Sequence, residues 1–341
     1  MINAVPAKDD PFKRTIGRDV EARLDKLSQQ GWWKDLLTLW KPAGHPSGEY
    51  GLRLAIRNGT MNFYRKGQSI ARVGFDEYRK PYLELHLGYV KATSGLGDYH
   101  VRVSGYEYSC KTLPEVVGRY EGVVTLRQWI KSAEKIRGGE KEKEFVDQLL
   151  DGTPNAIDIE MALPGFRAGD SLRASKRLKT SADTKIAVRV DLVTLESNSE
   201  ITSIVLWEAK MMDNGELRSK GDEAPELVGQ LKDYEFWLRR EGRIDQVAEA
   251  YQETCEQLVA IHAQATRLGL GVGQLGDVIR SVAAKKPLLQ VDCCPRVVIG
   301  DQDQDQSWEQ NGHARKLADA EYFVQVVRGK AHSDYVLKSK T

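Results

Sequence analysis

The sequence predicts a two-domain α+β/α protein: a β-rich N-terminal domain (residues 1–137) followed by a domain (138–341) with a mixed β-sheet flanked by helices. Short alternating apolar runs separated by turn residues fill positions 45–110 and predict an antiparallel sheet. The second half follows the order helix, strand, strand, strand, helix. Gly138-Gly139 interrupts a charged helical stretch between the two patterns and marks the boundary.

Composition limits the kind of protein that this chain can be. Its 341 residues are 41% hydrophobic and 29% charged, with a formal net charge of +1, so any contact with nucleic acid must use a local patch. No run of 18 apolar residues is present and the N-terminus lacks a secretory pattern, so we expect no membrane span. The four cysteines form no Cys-x-x-Cys pair, which supports neither a zinc knuckle nor a disulfide framework and favours a reducing cytoplasm.

The N-terminal domain begins with a predicted helix over 20–40. Asn58-Gly59 separates two alternating runs, which is a strong signal for a β-hairpin. Strands are predicted at 52–57, 60–65, 68–75, 82–91 and 99–109. The charged stretch 112–150 is predicted to be helical.

The C-terminal domain is predicted from a second series of patterns. Helices are expected at 141–150, 223–240 and 244–286, and strands at 156–163, 185–195, 201–211, 295–300 and 322–327. The short polar turn 196–200 predicts that the strands on either side form an antiparallel hairpin. Residues 301–311 are polar and of low complexity, which predicts a loop.

Glu208-Ala209-Lys210 closes the apolar strand that begins at Ile204. Residues two apart on a strand share a face, so Glu208 and Lys210 project together. Charged groups at the end of a buried strand are costly unless they are paired or bind a metal. Asp191 lies near the end of the partner strand, where the hairpin could bring it to Glu208; the register stays open at this point.

This set of groups suits the hydrolysis of phosphodiester bonds. A hard divalent cation prefers carboxylate and carbonyl oxygens, and it activates a bound water. Asp191, Glu208 and the carbonyl of Ala209 are therefore predicted metal ligands, and Lys210 is predicted to assist the water.

Two further groups are expected at the same site. Asp158 and Glu160 share one face of the strand 156–163, and Glu160 is our choice for a third acid, with Glu144 on the preceding helix as the rival. Gln230 and Tyr234 are four residues apart on a helix, so they share a face and could line the cleft.

These motifs resemble the PD-(D/E)XK nuclease superfamily over residues 140–300, and Gln230-x-x-x-Tyr234 is similar to a motif of its RecB-like branch. The resemblance implies a restriction-endonuclease-like fold and DNA cleavage that depends on Mg²⁺ or Mn²⁺, in host defence or DNA processing. It implies that Asp191 and Glu208 are ligands and that Lys210 is the catalytic lysine. Val190 replaces the proline of the family's name.

A basic segment joins the first two strands of this domain and could neutralise phosphates. Its predicted nucleic-acid-binding residues are Arg173, Lys176, Arg177, Lys179, Lys185 and Arg189. A solvated loop without a ligand is the alternative interpretation. DNA is the expected partner, and RNA stays open.

Two other functions are compatible with the sequence. One is a catalytically inactive nucleic-acid-binding protein on the same fold, whose binding Mg²⁺ would not alter. The other is an interaction protein, or a homodimer, that uses the N-terminal domain for docking. The pattern Gly271-x-Gly-x-x-Gly276 follows a helical stretch and lacks the preceding strand that a dinucleotide site requires.

Overall fold

The computed structural model describes residues 10–91, 95–137, 140–172, 181–198, 200–302, 305–329 and 334–339. Within these ranges the chain is a mixed α/β protein with a seven-stranded antiparallel sheet and a six-stranded mixed sheet. The coarse fold class predicted from the sequence is therefore confirmed. None of the helices in these ranges is long and apolar enough to cross a membrane.

The N-terminal half builds the seven-stranded sheet, whose strands pair in sequence order. Its elements are α1 (Val20–Ser28), α2 (Gly31–Leu39), β1 (Arg53–Arg57), β2 (Thr60–Arg65), β3 (Gln68–Phe75), β4 (Pro81–His86), α3 (Leu87–Lys91), β5 (His100–Ser104), β6 (Glu107–Cys110), β7 (Leu113–Arg119) and α4 (Val123–Arg137). The β1–β2 hairpin turns at Gly59, which has a φ of +78°, and this confirms the hairpin prediction.

Several predictions in this half are wrong. The helix expected over 20–40 is broken at Gln30, whose backbone is extended. The strand expected over 82–91 ends at His86, and 99–109 contains two strands. Residues 113–119, which were expected to be helical, form β7. This strand lies at the edge of the sheet, where Pro114 is tolerated and few side chains are buried, so its periodicity is weak.

The C-terminal half builds the six-stranded sheet. Its elements are α5 (Lys141–Gly152), β8 (Ala156–Ala162), β9 (Arg189–Ser197), β10 (Ile201–Met211), α6 (Glu226–Leu238), α7 (Arg243–Arg267), α8 (Asp277–Ala283), β11 (Leu288–Val291), β12 (Arg296–Gly300), α9 (Ser307–Gln310), α10 (His313–Ala318) and β13 (Val324–Val327). β8, β9 and β10 are antiparallel, whereas β12 pairs parallel to both β10 and β13. The single helix expected over 244–286 is two helices, and the loop expected over 301–311 contains α9.

The central strand β10 is covered by helices on both faces. Ile204 and Leu206 belong to the cluster that contains the buried residues of α6 and α7. Val205 and Trp207 belong to the cluster that contains Phe145 of α5. The strand is thus buried from Ile204 onward, and Glu208 continues the face of Ile204 and Leu206 toward α6.

Both hydrophobic clusters contain residues of the two sheets, and the change of sheet falls between α4 and α5. The segment before α1 packs on α7, where Phe12 contacts Tyr251 with ring centroids 5.7 Å apart. Ion pairs also cross between the halves, each with an arginine from the N-terminal half: Arg14–Asp158, Arg57–Asp158, Arg53–Asp147 and Arg53–Asp151. The N-terminal half therefore helps to hold β8 and α5 in place.

Candidate active site

Glu208 lies at the end of β10 with only 1% of its surface exposed. Its Oε1 accepts hydrogen bonds from Lys210 Nζ at 2.6 Å and from Gln230 Nε2. Its Oε2 lies 2.6 Å from the hydroxyl of Tyr234. Three donors therefore fix the position of this buried carboxylate, which satisfies the condition for burying a charge.

Gln230 and Tyr234 lie one turn apart on α6 and face the sheet together. The Tyr234 hydroxyl lies 2.7 Å from the carbonyl oxygen of Arg189 and 2.7 Å from Gln230 Nε2. Burial, followed by the charge of Glu208, raises the pKa of Tyr234 well above its usual value, so the phenol keeps its proton. The hydroxyl of this α6 residue therefore contacts both β9 and β10.

Asp191 faces the same point from β9. The strands pair Leu192 with Trp207, and one further step of this register places Asp191 opposite Glu208. The Asp191 Oδ2 accepts a hydrogen bond of 2.8 Å from the backbone N–H of Ala209. The register left open by the sequence is thus one in which Asp191 and Glu208 follow the last pair of the hairpin, close enough for the charge of Glu208 to act on Asp191.

The surroundings of Asp191 disfavour its negative charge. Burial raises the pKa of this carboxyl well above its usual value, and the neighbouring charge of Glu208 raises it further. Lys210 and the Ala209 N–H act in the opposite direction without offsetting this. A cation at this position would relieve the repulsion between the two carboxylates.

Lys210 lies among three carboxylates. Its Nζ is 2.6 Å from Glu208, 3.4 Å from Glu216 and 3.6 Å from Glu142. Burial alone would lower the pKa of Lys210, but the charges of Glu208, Asp191 and Glu142 raise it above its usual value. The side chain therefore remains an ammonium group at neutral pH, and it acts as a positive charge and a donor.

Glu142 belongs to this cluster, although the sequence did not single it out. It lies in the first turn of α5, and its carboxylate accepts a hydrogen bond of 3.0 Å from Asn214. Burial raises the pKa of Glu142 despite the opposing charge of Lys210. The rival acid Glu144 points elsewhere, since it pairs with Lys66 at 2.7 Å.

Glu160, the predicted third acid, lies on β8 next to Asp191 of β9. The pairs Ile159–Leu192 and Met161–Val190 flank it, so the register places it opposite Asp191. Its φ of +50° breaks the alternation that was expected for this strand, and Asp158 is buried instead of sharing a face with it. Glu160, Asp191 and Glu142 line one cavity of about 60 Å³, the inner cavity.

The basic segment is described in part. Lys185 pairs with Asp10 at 2.6 Å, and Arg189 pairs with Glu160 at 3.3 Å. Arg189 therefore lies at the site, whereas Lys185 lies at the surface near the start of the described chain. The other predicted nucleic-acid-binding residues lie outside the described residues: Arg173, Lys176, Arg177 and Lys179.

The donor set fits a hard divalent cation by its chemistry. In the part of the chain that the structure describes, no three acidic, histidine or cysteine side chains already converge on one metal position. The oxygens of Asp191, Glu208 and the Ala209 carbonyl are nevertheless the ligands that such a cation prefers. The raised pKa of Asp191 marks negative charge that these surroundings leave uncompensated.

Comparisons with known proteins show no family for this chain. No protein-family model matches the chain, and neither a curated protein nor a solved structure matches it. The resemblance drawn from the motifs around Glu208 and Gln230 therefore remains a prediction.

Proposed function

We propose that this protein is a metal-dependent nuclease with a restriction-endonuclease-like fold, which hydrolyses DNA phosphodiester bonds. The observation that carries the proposal is the juxtaposition of Asp191, Glu208 and Lys210 at the ends of two paired strands. Gln230 and Tyr234, which complete the motif, both contact Glu208. The order β8, β9, β10, α6 also agrees with the core that the resemblance implies.

Mg²⁺ or Mn²⁺ would be held by Asp191, Glu208 and the Ala209 carbonyl, with Glu160 or Glu142 as a further acid. When bound, such an ion supplies an activated water and stabilises charge on the phosphate. Asp191 must lose its proton to act as a ligand, so its raised pKa couples the binding of the ion to pH.

The chain's own residues divide the remaining tasks. Lys210 retains its charge, so it stabilises the negative charge that develops on the phosphate and does not serve as a general base. Glu208 holds Lys210 in place through the 2.6 Å contact. Gln230 and Tyr234 in turn fix the carboxylate of Glu208.

The experiment is a cleavage assay with circular, linear and single-stranded DNA, and with RNA, in Mg²⁺ or Mn²⁺. The parent, Lys210→Ala and Asp191→Ala are compared with Lys34→Ala, a control at an exposed position on α2. We expect cleavage by the parent and by the control, and rates at least about 100-fold lower for the two site variants. EDTA should stop the reaction.

Equal rates for the parent and Lys210→Ala would contradict the proposal. Cleavage of RNA alone would correct the substrate while keeping the site.

A second candidate is a nucleic-acid-binding protein without catalysis on the same fold. The closed network around Glu208 favours it, because three donors from Lys210, Gln230 and Tyr234 already occupy both oxygens of the carboxylate. Such a protein would bind DNA equally in EDTA and in Mg²⁺ and would leave it intact in both.

A further inference from the structure

A larger cavity lies beside the inner cavity, and we call it the outer cavity. Its volume is about 390 Å³, and β2, β3 and β4 of the N-terminal sheet form one wall. Lys143, Glu160 and Arg189 of the C-terminal half form the opposite wall. The outer cavity is therefore built jointly by the two halves of the chain.

The two cavities adjoin each other. Tyr64, Gly67, Lys143 and Glu160 line both of them. Glu160 has the positive φ that non-glycine residues rarely adopt, and such backbone strain is concentrated at functional sites. A molecule in the outer cavity would thus lie next to the position of Asp191.

The lining of the outer cavity is polar but has no excess of positive charge. Three cationic side chains, Arg72, Lys143 and Arg189, are balanced by the carboxylates of Glu84, Asp98 and Glu160. Arg72 pairs with Glu84, and Arg189 pairs with Glu160 at 3.3 Å. This balance does not suit a phosphate, which needs net positive charge.

The groups that remain suit a neutral, planar, polar ligand. Asn62 carries an amide, Ser69 a hydroxyl, and His86 and His100 carry imidazole rings. Both ring nitrogens of His86 already bond the backbone, at Gly88 and Gly97, so His86 contributes only an aromatic surface, while the other side chains offer donors and acceptors. Proteins bind nucleobases through polar contacts to the base edges and aromatic stacking on the base faces. The volume lies near the lower end of the range for small-ligand pockets, roughly 300–1,000 Å³, so it has room for one nucleoside and none for a duplex.

We propose that the outer cavity binds one unpaired nucleobase of the substrate strand, next to the phosphate that is cleaved. This inference rests on the proposed nuclease function and specifies its substrate class as single-stranded DNA, or DNA with a single-stranded extension. A base stacked and paired in a duplex cannot enter a cavity of this size.

The test fills the cavity without disturbing the core. Ser69 is exposed on β3 and lines the outer cavity, so Ser69→Trp places a large side chain in that space. Ser104→Trp is the matched control, because Ser104 is exposed on β5 of the same sheet and lines neither the inner nor the outer cavity. Thermal unfolding of both variants shows whether the fold is retained.

Two readouts are used on the parent and both variants: cleavage rates in Mg²⁺ for a single-stranded oligonucleotide and its blunt duplex, and binding of the same DNAs in EDTA by fluorescence anisotropy. We expect the parent to prefer the single strand in both readouts. Ser69→Trp should weaken the binding of the single strand and slow the cleavage of the single strand, each by about tenfold or more. This is the effect of losing one base contact. Ser104→Trp should behave like the parent.

The outcomes separate the two claims. If the parent cleaves duplex as fast as single strand and Ser69→Trp has no effect, the nuclease function stands and the assignment of the cavity is overturned. If the parent cleaves no nucleic acid in Mg²⁺ or Mn²⁺, the nuclease function fails, and the inference fails with it.

Discussion

Asp158 on β8 and Asp191 on β9 are acidic side chains on neighbouring strands with opposite surroundings. Asp158 is contacted by Arg57, by Arg14 at 3.0 Å and by Tyr251 at 2.9 Å. Burial by itself would raise its pKa, but the two arginines lower it below its usual value. For Asp191, both burial and the charge of Glu208 raise the pKa.

The difference separates a carboxylate whose charge the protein compensates from one that we propose to be functional. The protein compensates the charge of Asp158 from within, so that group needs no ligand. At Asp191 the protein brings a second carboxylate instead, and the repulsion lowers the stability of the fold unless a proton or a cation is present. A carboxylate whose charge destabilises the protein without a bound cation is the expected mark of a cation site.

The largest change in stability is expected from Asp158→Asn. The variant keeps the shape of the side chain but leaves the buried Arg14 and the partly buried Arg57 without this counter-ion. Breaking a buried ion pair on one side costs about 3–5 kcal/mol, so the free energy of unfolding should fall by that amount. Urea denaturation at neutral pH measures it, with Asp25→Asn at an exposed position of α1 as the control. A loss of stability no larger than in the control would show that the ion pairs of Asp158 do not stabilise the fold, and Asp158 would no longer contrast with Asp191.

A smaller change of opposite sign is expected from Asp191→Asn. An amide removes the charge next to Glu208, and its oxygen still accepts the hydrogen bond from the Ala209 N–H. In EDTA at alkaline pH the free energy of unfolding should rise by about 1 kcal/mol, while DNA cleavage is lost. Denaturation and cleavage are measured on the same preparation. A variant that is less stable than the parent would show that the Asp191 charge is compensated after all.

The third effect is the dependence of cation binding on pH. Because the folded pKa of Asp191 lies above the unfolded one, the folded state retains a proton that the unfolded state has lost. The stability from this group is complete at low pH and is lost as pH rises through the folded pKa. Mg²⁺ must displace that proton, so its stabilising effect should grow with pH.

Thermal unfolding of the parent with and without Mg²⁺ at several pH values measures this effect. The free energy by which Mg²⁺ stabilises the folded state should increase by at most about 1.4 kcal/mol per pH unit, which is the limit for one proton. Asp191→Asn should show no such increase. A stabilisation by Mg²⁺ that is independent of pH in the parent would place the ion away from Asp191.

Local patterns were sufficient for the parts of the site that depend on a single strand, helix or hairpin. Alternation predicted that Glu208 and Lys210 share a face, and helical spacing predicted the same for Gln230 and Tyr234. The polar turn at 196–200 predicted the hairpin that joins β9 and β10, which is present. These features depend only on neighbours in sequence.

Features that depend on tertiary contacts were not predictable. Glu142 lies in the run Lys141-Glu-Lys-Glu144, and nothing local distinguishes it from Glu144; only the packing of α5 beside the end of β10 does. The sequence placed Asp158 on the face of Glu160 and gave no sign that it is buried, because its partner Arg14 is 144 residues away in sequence.

The ion pairs between the two halves limit how this protein can evolve. A chain that began at α5 would retain Asp147, Asp151 and Asp158 but would lack every arginine that pairs with them. Exchange of the front half by recombination would succeed only if the donor carried arginines at matching positions. Under the proposed function, changes in substrate preference should therefore accumulate by point substitution on the N-terminal sheet, within a pair of halves that are inherited together.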